Sequence, residues 1–187
     1  MTYQFKIQIK GITRPPVWRK VSVPAGFTFL KFHEVIQAAF GWENYHLFQF
    51  SPKGFGSYPS IGLPDPEGWD EGDTRDSRKI KLSDIFSEEG QKYTYIYDFG
   101  DSWEHQVVLE RILPDNLRKA SCLDGKGACP PEDCGGSWGY EELKETLADP
   151  SNPEHENMKE WLGLEEEETW DPAAFDLKEA NERVKHV

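Results

Sequence analysis

Residues 3–9, YQFKIQI, set Tyr3, Phe5, Ile7 and Ile9 on one face and Gln4, Lys6 and Gln8 on the other, the period-two pattern of a half-buried strand. After the loop GITRPP, the segment VWRKVSV alternates again through Val17, Arg19, Val21 and Val23. The two runs predict a hairpin whose second face, with Trp18 and Lys20, is aromatic and basic. The period then changes. In TFLKFHEVIQAAFGW, Phe32, Val35, Ile36, Ala39 and Phe40 fall on one helical stripe, with Thr28 placed to cap the start and Gly41 to stop the end. His33 lies beside this stripe and Gln37 off it, which predicts a border or exposed position for both. HLFQF, residues 46–50, reads as a third strand.

Residues 51–79, rich in Gly, Pro, Asp and Ser, show no sustained period and read as one long surface loop. LSDIF suggests a single helical turn. KYTYIYDFG and HQVVLERIL then form a second hairpin around the turn DFGDSW. The last third is helical in pattern, with starts at Ser137, at Asn152-Pro153 and at Pro172. The expected fold is α+β: a single domain over 1–187 with a mixed sheet of two hairpins plus one strand and a helix packed on one face. Its strand, strand, helix, strand order resembles a β-grasp arrangement. Residues 1–113 form the sheet and helix core, and 114–187 a cysteine loop followed by acidic C-terminal helices.

Charge narrows the functional classes. The chain has a net charge of -13, and residues 132–187 hold 17 acidic against 5 basic side chains. A chain this acidic is a poor generic binder of a phosphate backbone, so nucleic acid could be met only through the basic N-terminal ribbon around Trp18, Arg19 and Lys20. No apolar run approaches the roughly 20 residues of a membrane span, and MTYQFKIQIK alternates where a signal peptide would be continuously apolar. A soluble, cytoplasmic protein with no membrane partner is expected. Cys122, Cys129 and Cys134 are odd in number and lack paired C-x-x-C knuckles, so the expectation is reduced thiols, with a partial metal site or a redox role as the alternatives.

Two short stretches carry most of the candidate chemistry. YDFGDSWEH, residues 97–105, surrounds one glycine with Asp98, Asp101, Glu104, His105 and three aromatic rings. Asp98, Asp101 and Gly100 suffice for a tight turn, whereas Trp103, Glu104 and His105 exceed what the turn requires. A histidine beside an aspartate there serves as a general base, a metal ligand or a structural pair. CPPEDCGGSWGY, residues 129–140, places Glu132 and Asp133 between two prolines and a Gly-Gly-Ser helix entry. Such an entry could cradle an anion, but the acidic pair would repel phosphate unless a cation lay between them.

The segments PPVWRKVSVP, FHEVIQAAFGWENYHLFQF, YIYDFGDSWEH, CPPEDCGGSWGY and FDLKEAN, in that order, resemble the Ri-plasmid ORF-three-like family of bacterial and archaeal domains of unassigned function. The resemblance implies an α+β domain and shared polar residues at Trp18, Arg19, His33, Gln37, Trp42, His46, Tyr97, Asp98, Asp101, Trp103, His105, Glu132 and Asp133. Relatives labelled resolvase or repressor find no support here, because a serine recombinase needs an activated serine among clustered arginines. Two polar turns from distant parts of the chain are best explained if they meet at one site with His46. The expected site is an acidic and aromatic pocket of His46, Asp98, Asp101, Trp103, His105, Glu132 and Asp133, its carboxylates compensated by Arg19 or His105 or, if neither reaches, by a metal or a cationic ligand. The expected function is a non-enzymatic binding or interaction module for a protein or small-molecule ligand. The alternative is a metal-dependent hydrolase acting on phosphoesters or nucleic acid, with Asp98, Asp101, Glu132 or Asp133 as oxygen ligands and His105 or His46 as ligand or base.

Overall fold

The computed structural model describes residues 1–64 and 74–187. β1 (Thr2–Ile9) and β2 (Trp18–Pro24) form the first antiparallel hairpin, in the register Phe5 opposite Val21. α1 (Phe29–Phe40) starts at Thr28, whose side chain accepts from the Lys31 N–H at 3.2 Å, and stops at Gly41, which takes φ 98°. β3 (Phe48–Ser51), β4 (Ser60–Gly62) and β5 (Thr74–Asp76) follow, then a 3-10 turn at Leu82–Asp84. β6 (Lys92–Tyr97) and β7 (Trp103–Leu113) make the second hairpin, and β8 (Ser121–Lys126) precedes α2 (Gly136–Ala148), α3 (His155–Trp161) and α4 (Leu177–Lys185).

The strands build one open sheet in the order β5-β4-β3-β6-β7-β1-β2-β8, mixed because β4 and β5 run parallel while the other pairs are antiparallel. The result is a single α+β domain. Period two sends Tyr3, Phe5, Ile7 and Ile9 to one face, where each is at most 2% exposed. The helix stripe meets that face: Phe5 and Phe32 ring centroids stand 4.7 Å apart, Phe29 and Phe50 5.0 Å. Burying each such ring contributes about 1.5–3 kcal/mol relative to exposure. α4 covers the remaining flank, with Arg183 donating to the Ala38 carbonyl at 2.8 Å and Asn181 accepting from the Cys122 N–H at 3.0 Å.

Several expectations change. Among the described residues the sheet has eight strands rather than five: β4 and β5 lie within the stretch read as a loop, and β8 lies within the cysteine segment. The expected loop also includes residues 65–73, which lie outside the described residues. The element order of β1, β2, α1 and β3 is as expected, yet β3 is separated from the first hairpin by the whole of the second. α3 and α4 begin later than their proline signals, at His155 and Leu177, the latter capped by Asp176 accepting from the Glu179 N–H at 3.0 Å. No helix among the described residues is long and apolar enough to cross a membrane.

Candidate metal centre

Three loops meet at the end of the sheet where β6 turns into β7. The first, residues 41–47, leaves α1 through Gly41 and is pinned from below by a buried network. His33 Nε2 is 2.6 Å from Asn44 Oδ1, and its Nδ1 is 2.8 Å from the Tyr95 hydroxyl. Gln37 Nε2 donates to the same hydroxyl at 2.9 Å, while its Oε1 accepts from the Asn44 N–H at 3.1 Å. This pattern assigns the proton to His33 Nε2 and leaves Nδ1 to accept from Tyr95. Burial lowers the His33 pKa to about 4, so the ring is neutral at pH 7. His33 and Gln37 are therefore not border residues: they are 1% and 3% exposed. Their hydrogen bonds hold Asn44 at φ 61°, two residues before His46.

The second loop is the turn 98–102. The Asp98 N–H donates to the Leu47 carbonyl at 2.9 Å, and its own carbonyl accepts from Ser102 at 2.7 Å. Asp98 takes φ 55°, a left-handed conformation that aspartate tolerates. Its Oδ1 accepts from the Gly100 N–H at 2.9 Å, and its Oδ2 faces His46.

The third loop, residues 129–135, is drawn in by Trp42, whose indole donates to the Pro130 carbonyl at 2.9 Å. Glu132 Oε1 accepts from the Tyr97 hydroxyl at 3.0 Å and from the Glu43 N–H at 2.9 Å. Burial and this carboxylate both raise the Tyr97 pKa, so the phenol remains a donor. Asp101 joins the second loop to the third by accepting from the Gly135 N–H at 3.1 Å. The backbones there approach so closely that a β-carbon on Gly136, at φ 66°, would stand 2.6 Å from the Asp101 carbonyl oxygen.

At the junction, His46 Nε2 lies 3.8 Å from Asp98 Oδ2, 3.8 Å from Glu132 Oε2 and 3.3 Å from Asp133 Oδ1. Donor atoms of His46, Asp98 and Asp133 all fall within 4.8 Å of one another, with Glu132 Oε2 at the edge of the group. His46 Nε2 and Glu132 Oε2 are both buried and have no hydrogen-bond partner among the described residues. Leaving such a pair unmet costs on the order of 1–3 kcal/mol per atom. Donors each about 2.0–2.3 Å from a shared ion stand roughly 3–4 Å from one another, the range in which His46 Nε2 lies from each of the three carboxylates. Asp98 and Glu132 each spend one oxygen on a protein donor and turn the other inward, the outer-sphere orientation typical of metal carboxylates.

The remaining predicted residues lie elsewhere. Asp101 clips the two loops together and does not face His46. Trp103, 2% exposed, lies beneath the site with its ring 6.1 Å from Trp42. His105 is fully buried, its Nδ1 donating to the Trp103 carbonyl at 2.9 Å, and burial lowers its pKa to about 3. Glu104 pairs with Lys10 at 3.1 Å. Arg19 does not compensate the carboxylates: it donates to the carbonyls of Ala39, Trp18, Lys126 and Gly127 and is flanked by the rings of Phe40 and Phe175. No cysteine joins a cluster of three potential ligands among the described residues. Burial raises the thiol pKa of all three, Cys134 to about 12. Of the supporting residues, Gln37, Trp42 and Tyr97 entered the sequence reading as shared residues of the resemblance, without a place in the expected site, and Asn44 did not enter it at all. The density of aromatic and amide side chains on either side of Gly41 marks Gln37, Trp42 and Asn44, whereas Tyr97 belongs to the second hairpin.

Fold and junction together describe an α+β domain with an acidic, histidine-centred cluster at one end of its sheet. The chain belongs to the family described as plasmid pRiA4b ORF-3-like protein, which it matches over residues 1–179. It is 41% identical over 172 residues to the uncharacterized protein y4hQ of Sinorhizobium fredii (strain NBRC 101917 / NGR234), covering 91% of this chain and 84% of that one. Its fold is similar to the crystal structure of a protein of unknown function, MM3350 from Methanosarcina mazei Go1, with a TM-score of 0.79 at 40% identity over 95% of this chain and 96% of the other.

Proposed function

We propose that this protein is a binding module organised around a divalent cation held by His46, Asp98, Glu132 and Asp133. The observation that carries this reading is the buried, unpartnered His46 Nε2 with three carboxylate oxygens 3.3–3.8 Å away. His46 Nε2 makes no hydrogen bond to any of the three oxygens, although Asp133 Oδ1 lies 3.3 Å away. One imidazole nitrogen with hard carboxylate oxygens suits Mn2+ or Zn2+ better than a soft ion, and suits Mg2+ less because that ion keeps its waters.

Three carboxylates around one divalent ion leave the site net negative, which weakens it as a Lewis acid toward an anionic ester. This favours binding over phosphoester hydrolysis. The nucleic-acid contact through the N-terminal ribbon is also weakened: Lys20 pairs with Glu110 at 2.8 Å, Lys6 lies 4.9 Å over the Trp18 ring, and Arg19 is 2% exposed.

Isothermal titration of the chelator-stripped protein with Mn2+, Zn2+ and Mg2+ tests the reading. Stoichiometric binding of Mn2+ or Zn2+, lost in His46→Ala and Glu132→Gln, is the expected result. Binding that survives both substitutions would place the ion elsewhere, and no binding at all would reduce the cluster to a polar junction.

A further inference from the structure

The geometry points to a second ligand site beside the first: the cavity of about 300 Å3 between α2 and α3, which we assign to a small organic cation, an amine or guanidine on a compact apolar body. Its walls are Asp133, Cys134, Gly139, Leu143, Asn157, Met158 and Trp161. Gly139 is required in this wall, because a β-carbon there would stand 1.7 Å from the Cys134 carbonyl oxygen. The volume is at the low end of the roughly 300–1,000 Å3 of small-molecule sites, so the occupant is compact.

The lining chooses its charge. Leu143, Met158 and Trp161 supply apolar and aromatic surface, Asn157 supplies an amide, and Asp133 is the one carboxylate residue in the wall. Nearby cationic side chains are committed elsewhere: Lys159 Nζ donates to the Glu166 carbonyl, and Lys144 Nζ donates to the Arg14 carbonyl and Glu141. The surrounding residues 132–187 are strongly acidic, with 17 acidic against 5 basic side chains, so the local field attracts cations and repels carboxylates and phosphates. Trp161 is 51% exposed, which leaves its indole accessible to a cation or an apolar body. Asp133 belongs to both this wall and the histidine cluster. A metal ion at His46 and an ammonium in the cavity therefore compete for it, but neither needs the other.

The chain contains only two methionines, Met1 and Met158, so methyl-13C-methionine labelling gives one reporter in the cavity and one outside it. Titrating the labelled protein in excess chelator with 2-phenylethylamine should shift the Met158 methyl saturably and leave Met1 unmoved, while 3-phenylpropionate, of similar size and opposite charge, should not shift it. Asp133→Asn and Trp161→Ala, both at exposed positions, should each weaken the amine about tenfold or more. The proposal is overturned if Met158 does not respond to millimolar amine, if the carboxylate shifts it equally, or if both variants bind as the parent does. Because chelator is present throughout, failure of cation binding at His46 would not alter this result, and failure here would not alter that one.

Discussion

Asp98 and Asp133, on loops far apart in the chain, hold nearly identical left-handed backbones, φ 55° and 56°, and each turns a carboxylate oxygen toward the same nitrogen of His46. A non-glycine residue in this region costs free energy that asparagine and aspartate bear best. Two such residues at one junction, with Glu132 Oε2 also turned to His46, concentrate negative charge with no arginine in reach among the described residues.

Removing one of these charges should therefore act in opposite directions on binding and on stability. Asp98→Asn keeps an oxygen able to accept from Gly100 and keeps the backbone preference. Its affinity for Mn2+ or Zn2+ should fall by about ten- to a hundredfold, while its melting temperature in chelator should equal or exceed that of the parent. Calorimetric titration with a thermal melt checks both, and a clearly lower melting temperature would mean that the carboxylates are already compensated inside the protein.

The network beneath the site should matter for the ion without touching it. Gln37→Leu leaves the Asn44 N–H and the Tyr95 hydroxyl each short of a partner, at a cost of about 1–3 kcal/mol in urea denaturation. It should also loosen residues 41–47 and lower cation affinity several-fold. Undiminished affinity would show that His46 is positioned by Asp98 and the Leu47 backbone alone.

These supports mark the limit of what the sequence discloses. The stripe Phe32, Val35, Ile36, Ala39 and Phe40 is buried as its spacing requires, and the two hairpins follow their alternation. The meeting of the turn at 98–102 with the loop at 129–135 was legible because both turns hold more carboxylates than their geometry needs. The burial of His33 and Gln37 was not legible, since the Tyr95 hydroxyl that satisfies them comes from a strand distant in sequence. β4 and β5, three residues each, are too short for a period to show, and the SCLDGK of β8 does not alternate. Arg19 was misplaced for a related reason: an arginine can be satisfied by backbone carbonyls, and nothing in a one-dimensional pattern tells those from a carboxylate.

Stability should fall with acid through two buried histidines. Burial lowers the pKa of His33 to about 4 and of His105 to about 3, below the ordinary value of 6.5. Between those values and 6.5 the unfolded chain binds protons that the folded chain refuses, so stability is full above about pH 6.5 and declines as pH falls toward 4 and then 3. For His33 the full effect is on the order of 3 kcal/mol. Urea denaturation at pH 7, 5 and 4 should show the decline, and His105→Phe, which removes one of the two groups from a site lined by Phe40, Trp42 and Tyr95, should make it shallower. An unchanged slope in that variant would assign the acid sensitivity to carboxylates instead.

The close approach of Asp101 and Gly136 gives the sharpest test of whether the two loops must meet for the site to exist. Gly136→Ala adds a β-carbon 2.6 Å from the Asp101 carbonyl oxygen and also strains a backbone at φ 66°, so the loop at 129–135 has to move away from the turn at 98–102. The sheet core lies elsewhere, and the loss of stability should stay at about 1–3 kcal/mol, below the 2–5 kcal/mol typical of a buried truncation such as Ile36→Ala. Cation affinity should fall far more than stability, because Asp133 and Glu132 shift with the loop while His46 and Asp98 do not. Ile36→Ala should show the reverse, a larger loss in urea denaturation with affinity retained in the fraction that remains folded. If both variants lost affinity only in proportion to stability, the apposition of the loops would be a packing feature and not the device that assembles the site.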